Sequence, residues 1–283
     1  TALETLGPDF QFKTVLEYSG YIDTLKRILH GNIYIRGGGD PTLGSSYFDS
    51  TGQRMFLKNW VQNIKQLGID SVDGSIIADA SIYPRDLIPG TWTWENMGNY
   101  FGASANGLSV FDNSYTVHFK THNKTGDTAE VLGMSPFMSW ITFENEVIAD
   151  TIPGDNVIIY GAPFTKNMSF KGSLPLNRND FEVKGSIPDP PYLTAFELQE
   201  QLKLYGIHCS LPASKLTNRA SNNGSFTEKF TPICTTFSPK LADIISLTNT
   251  HSINLFAEHC LLHSALALGI KADIGKAIKA EMD

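Results

Sequence analysis

The sequence predicts an α/β chain in which helical segments near both ends flank a mainly β middle. Three observations carry that reading. Residues 56–67 place Phe56, Leu57, Trp60, Val61, Ile64 and Leu67 at helical spacing and stop at Gly68. Residues 69–190 break into strand-length apolar runs separated by Gly, Pro, Asn and Asp. From Ser238-Pro239 onward the apolar residues return to helical spacing.

Each element follows from local signals. Residues 1–6 read as the last turns of a helix, stopped by Gly7-Pro8. Phe10–Tyr18 and Asn32–Arg36 read as strands, with a polar segment carrying Leu25, Ile28 and Leu29 between them. The run Gly37-Gly38-Gly39-Asp40-Pro41 forces a turn. Within the middle, Gly74–Ala80, Tyr115–Phe119, Val157–Gly161 and Phe181–Gly185 are the clearest strands. Tyr192–Tyr205, after Pro190-Pro191 and before Gly206, is another helix. Leu241–Asn249 is a further one, and Ile253, Phe256, Ala257, Cys260 and Leu261 mark one face of the helix that follows.

Composition narrows the functional classes. With 283 residues, 41% hydrophobic and 18% charged, the chain can bury a core and is too apolar for intrinsic disorder. Its net charge of −7 and scattered basic residues lack the positive footprint of a nucleic-acid binder. No apolar run approaches the length of a membrane-spanning helix. Three widely spaced cysteines, Cys209, Cys234 and Cys260, exclude a CxxC metal knuckle and allow at most one bridge.

Several motifs have ordinary explanations. The glycine run lacks the residues of a phosphate loop, so nucleotide binding is not expected. His259 and His263, at i and i+4 beside Glu258, have a spacing that can hold zinc, but not the HExxH order, and read first as a helix surface or packing pair. The triplets at Asn123, Asn167 and Asn223 match a glycosylation pattern that arises by chance at this frequency. Ser252-Ile253-Asn254 is an SxN at the start of the most helical segment, and Lys124-Thr125-Gly126 is a KTG. With an SxxK these triplets complete the active-site set of penicillin-interacting serine enzymes, but there the KTG follows the SxN. Lys124 therefore reads as a turn, and no convincing SxxK is present.

Taken together, several stretches resemble the class C low-molecular-mass penicillin-binding proteins of the DacB type, the D-alanyl-D-alanine carboxypeptidase/endopeptidases of peptidoglycan. Ala2–Phe10 resembles the end of the helix that carries the SxxK serine in that family. Ile33–Gly44 resembles its GGDPTL turn, and Trp92-Thr93-Trp94 through Gly98-Asn99-Tyr100-Phe101-Gly102-Ala103 resembles its WxW and GNYYGA stretch. Ser252-Ile253-Asn254 falls at its SxN.

The resemblance implies a partial catalytic domain of the serine β-lactamase/penicillin-binding type, interrupted by a large mainly β insertion. Its pieces are expected at 1–31 and 228–283, around an insertion at 32–227 that holds a nested subdomain near 79–156. It implies an acyl-enzyme peptidase that cleaves peptidoglycan stem peptides, is acylated by β-lactams, uses no metal or organic cofactor and works in the periplasm or elsewhere outside the cytoplasm. Ser252 is expected to relay a proton to the leaving amine and Asn254 to bind the substrate backbone. Trp92, Glu95 and Tyr100 are expected to line a pocket for the free end of the stem peptide, Glu95 facing an amino group. The SxxK residues are expected a few residues before Thr1 and the KTG strand after Asp283, leaving the chain inert by itself.

Alternatives stay open on the same residues. Ser252 and Thr250 also suit a helix cap, and Trp92 through Tyr100 also suit an aromatic corner packed in the β-rich region. A non-catalytic peptidoglycan-binding or scaffold module is the rival from a different class. A metal-dependent hydrolase built on His259 and His263 is the weaker one.

Overall fold

The structure, a computed structural model, describes residues 2–48, 54–85, 88, 90–216, 229–270, 275 and 278. Two compact units emerge: residues 1–87, 105–112 and 190–283 form one, and 88–104 with 113–189 form the other. In chain order the first unit opens with α1 (Ala2–Leu6), β1 (Lys13–Tyr18), β2 (Tyr21–Asp23), β3 (Ile28–His30), β4 (Ile33–Arg36), α2 (Met55–Gln66), β5 (Ser71–Asp73) and β6 (Ile76–Asp79). The second unit holds α3 (Trp94–Met97), β7 (Ser114–Lys120), β8 (Glu130–Ser135), β9 (Thr142–Asp150), β10 (Ile158–Tyr160), β11 (Asn167–Pro175) and β12 (Phe181–Ser186). The chain then completes the first unit with α4 (Pro190–Leu204), β13 (His208–Cys209), β14 (Ser214–Lys215), β15 (Thr231–Phe237), α5 (Leu241–His251) and α6 (Asn254–Ala267).

The first unit is built on a five-stranded sheet of order β14-β6-β4-β1-β15 and a four-stranded sheet of order β13-β5-β3-β2. β1 pairs antiparallel with both β4 and β15. Glu17 is buried next to buried Leu16, breaking the alternation of β1 where its pairing with β15 shifts register. Its carboxylate is matched by Arg36 on β4, which donates from Nε to Glu17 Oε1 at 2.8 Å and from a terminal nitrogen to Asp79 Oδ2 on β6 at 2.9 Å. A buried charge is tolerated when it is paired in this way.

Helix α2 buries Phe56, Leu57, Trp60, Val61 and Ile64 of the stripe its spacing predicts, Leu67 being exposed at its end, and Gly68 follows it at φ +76°. Trp60 donates its ring N–H to Thr236 Oγ1 on β15 at 2.8 Å, which satisfies the polar end of a fully buried indole. α1 ends as expected, with Gly7 at φ +85° and its N–H returned to the Leu3 carbonyl. α1, α5 and α6 meet in one cluster of Ala2, Phe12, Leu241, Ile244, Leu255, Phe256 and Cys260.

Helix α6 departs from its expected face. Ala257 is exposed and Leu261 half-buried, whereas Leu255, His259 and Leu262 join Phe256 and Cys260 in the interior. The helix packs on two sides: Leu262 belongs to a second cluster with Tyr83 and Ala105, so a single stripe underestimates what it buries. The polar segment between β1 and β4 forms the short strands β2 and β3.

The second unit contains two three-stranded sheets, β12-β7-β8 and β10-β11-β9, the second with β9 and β11 parallel. Phe119 meets Phe170 edge-on at 6.0 Å between ring centres, and Tyr115 donates its hydroxyl to Met168 Sδ at 3.0 Å in the core. Lys124-Thr125-Gly126 is an exposed turn, as expected, with Gly126 at φ +89° and Lys124 3.7 Å from Asp127. Cys209, Cys234 and Cys260 are all free thiols.

Candidate functional site

Ser252 sits where α5 gives way to α6. The chain reverses there because Ser252 adopts φ 56°, ψ 47°, and the Ile253 N–H then reaches back to the Thr248 carbonyl at 3.2 Å. That is a helix-terminating turn usually assigned to glycine. Asn254 opens α6 two residues later, and both side chains are exposed. Neither Ser252 nor Thr250 caps α6: its N-cap is Ile253, without a side-chain hydrogen bond, and the Thr250 hydroxyl bonds the Ser246 carbonyl at 2.8 Å. Ser252 does not cap the start of α6, but it is the left-handed C-cap that ends α5. Other non-glycine residues, among them Arg27, Phe164 and Asn177, also have positive φ.

A buried polar network lies further along α6. His259, fully buried, donates from Nδ1 to the Gly39 carbonyl at 2.8 Å, so the ring is the Nδ1–H tautomer and Nε2 accepts from the Ser109 hydroxyl at 2.9 Å. Burial lowers its pKa to about 3, keeping the imidazole neutral. Glu258 accepts the Ala105 N–H at 3.1 Å, and burial raises its carboxyl to about 7. His263 lies 3.4 Å from the Tyr83 hydroxyl and packs its ring against Phe10 and Phe12, at 5.0 and 4.9 Å; burial lowers it to about 4.

These contacts tie two loops to α6. One is the glycine-rich turn, in which Gly39 adopts φ +71° and a Cβ would overlap the Tyr83 hydroxyl. Its Asp40 is buried, accepts the Thr42 N–H and hydroxyl at 2.8 and 2.7 Å, and is pushed up to about 6 by burial. The other loop carries Ala105 and Ser109. Since both ring nitrogens of His259 are engaged, it has no lone pair left for a metal, and no cluster of three potential ligands occurs among the described residues.

In the second unit, Trp92 is half-buried, while Glu95 on α3 and Tyr100 are exposed. Glycines pin this segment: a Cβ at Gly98 would overlap the Ile159 carbonyl, and one at Gly102 the Asn96 carbonyl. Asn99, buried, donates to the Glu95 carbonyl at 2.6 Å and accepts the Ile159 N–H at 3.2 Å. The corner is rigid but its aromatics are not packed away, for Trp94, Tyr100 and Phe101 all face solvent. A cleft of about 680 Å³ opens here, lined by Trp94, Thr142, Phe143, Glu144, Tyr160, Asn167, Met168, Ser169 and Lys171. Trp92, Glu95 and Tyr100 are not among its lining residues. Trp94 lay beside the residues singled out from the sequence, and Asn167 and Ser169 belong to a triplet set aside as chance.

Comparison with known proteins agrees with this architecture. The family model of D-Ala-D-Ala carboxypeptidase 3 (S13) matches residues 1–280. A curated relative, D-alanyl-D-alanine carboxypeptidase DacB of Haemophilus influenzae, is 22% identical over 206 residues, covering 71% of this chain and 40% of its own length. The crystal structure of penicillin binding protein 4 (dacB) from Haemophilus influenzae superposes with a TM-score of 0.75 at 18% identity, covering 99% of this chain and 58% of that one. The same protein complexed with a novel β-lactam gives 0.71 at 17% identity, with coverage of 99% and 57%. The fold is therefore the penicillin-binding-protein type with a mainly β insertion, and the chain spans well under two thirds of the relatives it matches.

Proposed function

The chain belongs to the D-Ala-D-Ala carboxypeptidase 3 (S13) family, and on that premise we propose that it is part of a serine D-Ala-D-Ala carboxypeptidase/endopeptidase acting on peptidoglycan stem peptides outside the cytoplasm. The supporting observation is the α5–α6 junction, where Ser252 is exposed in a left-handed conformation with Asn254 two residues on. Residues 1–31 and 228–283 belong in this proposal to one catalytic domain around the 32–227 insertion.

In the proposed reaction a nucleophilic serine outside these residues attacks the carbonyl of the penultimate D-alanine. Ser252 passes a proton to the departing amine while Asn254 holds the peptide, and water then releases the acyl group. Trp92, Glu95 and Tyr100 receive the free end of the stem peptide. No serine of this sequence is followed by lysine three positions later, so residues 1–283 alone carry out no acylation.

Labelling with a fluorescent penicillin on a denaturing gel, for this chain beside a longer form that carries an SxxK serine, tests the proposal. Labelling of the longer form alone, weakened by Ser252→Ala, supports it. Absence of labelling in both hands the function to a non-catalytic peptidoglycan-binding module.

A further inference from the structure

The cleft of the second unit has a composition that the peptidase reading does not use. Strand alternation puts Asn167, Ser169 and Lys171 of β11 on one face, and the parallel register Asn167↔Thr142 and Ser169↔Glu144 sets Thr142 and Glu144 of β9 beside them. Tyr160 on β10 is paired with Ser169 from the other side. Trp94 stands over this face, its ring 5.3 Å from that of Tyr160 at 66°, and remains 62% exposed. The result is a polar floor under an aromatic wall.

Two features mark it as built to hold a ligand. The Ser169 hydroxyl oxygen is buried and has no hydrogen-bond partner, a costly state that a bound group with a donor or acceptor relieves. The exposed Trp94 ring beside half-buried Tyr160 likewise leaves apolar area in water. The charge on the floor also limits what fits. Lys171 is matched by Glu146 at 3.0 Å and is also faced by Glu144, so no surplus positive charge is left for an anion. The volume of about 680 Å³ lies within the usual range for small organic ligands.

We propose that this cleft binds a neutral saccharide, one ring face stacked on Trp94 and Tyr160 and its hydroxyl or acetamido rim bonded by Thr142, Glu144, Asn167 and Ser169. A pyranose has an apolar face and a rim of donors and acceptors, the complement of this lining. Given the proposed peptidase role, which the assignment to peptidoglycan rests on, the saccharide is the glycan strand rather than the stem peptide.

The test is titration of the chain with chitotriose and with glycan strands stripped of their peptides and amidated at the lactyl carboxylates so that they stay neutral, read by tryptophan fluorescence and calorimetry. Trp94→Ala is expected to weaken binding roughly 10-fold or more with an unchanged melting temperature. Ser169→Ala is expected to weaken it several-fold without loss of stability, since the hydroxyl has no protein partner to lose. Glu130→Gln, exposed on β8 outside the cleft, serves as the control and leaves binding intact. Chitotriose binding without strand binding keeps the saccharide site and removes its assignment to the glycan. Failure of both sugars to bind at millimolar concentration, or binding indifferent to Trp94→Ala, overturns the proposal. Penicillin labelling of a longer form is independent of all these results, so the peptidase reading stands or falls separately.

Discussion

Replacing Ser252 with glycine separates strain from chemistry at the α5–α6 junction. Its φ of 56° and ψ of 47° lie at the centre of the left-handed region. A side chain there costs about 1–2 kcal/mol, and the extra freedom glycine has when unfolded offsets about 0.4–1 kcal/mol. The exposed hydroxyl has no partner among the described residues, so its removal subtracts nothing from the fold. Ser252→Gly should therefore stabilise the chain by about 1 kcal/mol, a rise of roughly 2–4 °C in Tm for a chain of this size. Ser252→Ala keeps the Cβ and the strain, and should leave Tm unchanged. In a longer form with its nucleophile, the proposed role of Ser252 as proton relay requires both variants to slow acylation by penicillin roughly 100-fold or more. Differential scanning fluorimetry and stopped-flow acylation read the two halves. A glycine variant that is less stable refutes the strain argument. One that is more stable and acylates normally shows that Ser252 only ends a helix.

Other perturbations test the network behind it. Gly39→Ala must abandon a left-handed backbone and displace Tyr83, so a loss of about 2–4 kcal/mol is expected in urea melts, against no change for Gly126→Ser in the exposed turn beyond its own backbone cost. Glu258 has a folded pKa near 7 against an ordinary 4.5, so its contribution is fully present below pH 4.5 and is lost as pH rises through 7. Glu258→Gln should thus flatten the difference in stability between pH 5 and pH 8, by on the order of 3 kcal/mol, and an unaltered pH slope would contradict the burial argument. His259 and His263 have lowered values and act in the opposite sense, their contribution being lost as pH falls from 6.5 toward 4 and 3. His259→Ala leaves the Gly39 carbonyl unpaired and should cost about 2–4 kcal/mol, whereas added chelator should leave Tm where it was; a chelator-sensitive Tm would restore the metal reading.

Elements with one buried face were legible in the sequence, and those buried on both sides or neither were not. The stripe of α2 and the glycine stops at Gly7, Gly68 and Gly206 follow from period and backbone sterics alone. β8 and β9 carry polar and exposed residues over much of their length, so no alternation betrays them, and they are strands because the parallel and antiparallel ladders of their neighbours complete them. The same reason hid the cleft: Thr142, Glu144, Asn167 and Ser169 converge only through the register of β9 with β11, a pairing with no sequence signature. Ser252 and Asn254 were visible as a triplet, but the left-handed turn that exposes the serine is a property of the fold.

The ionisable groups along α6 explain why that turn can be held so firmly without charging its surroundings. Near pH 6, His259 and His263 are neutral because burial resists their protonation, and Glu258 is largely protonated because burial resists its ionisation. α6 is therefore fastened to the Gly39 and Ser109 loops by neutral hydrogen bonds, which position Asn254 at its first turn without adding a field of their own. In the proposed peptidase, where Asn254 holds the substrate, His259 serves as a positioning residue for it. His259→Gln in a longer, acylating form should raise KM for a peptide substrate more than it lowers kcat and leave the pH midpoints of kcat/KM in place. A shifted midpoint would mean that His259 titrates in the working range, and that the tautomer assigned from its contact with Gly39 is wrong.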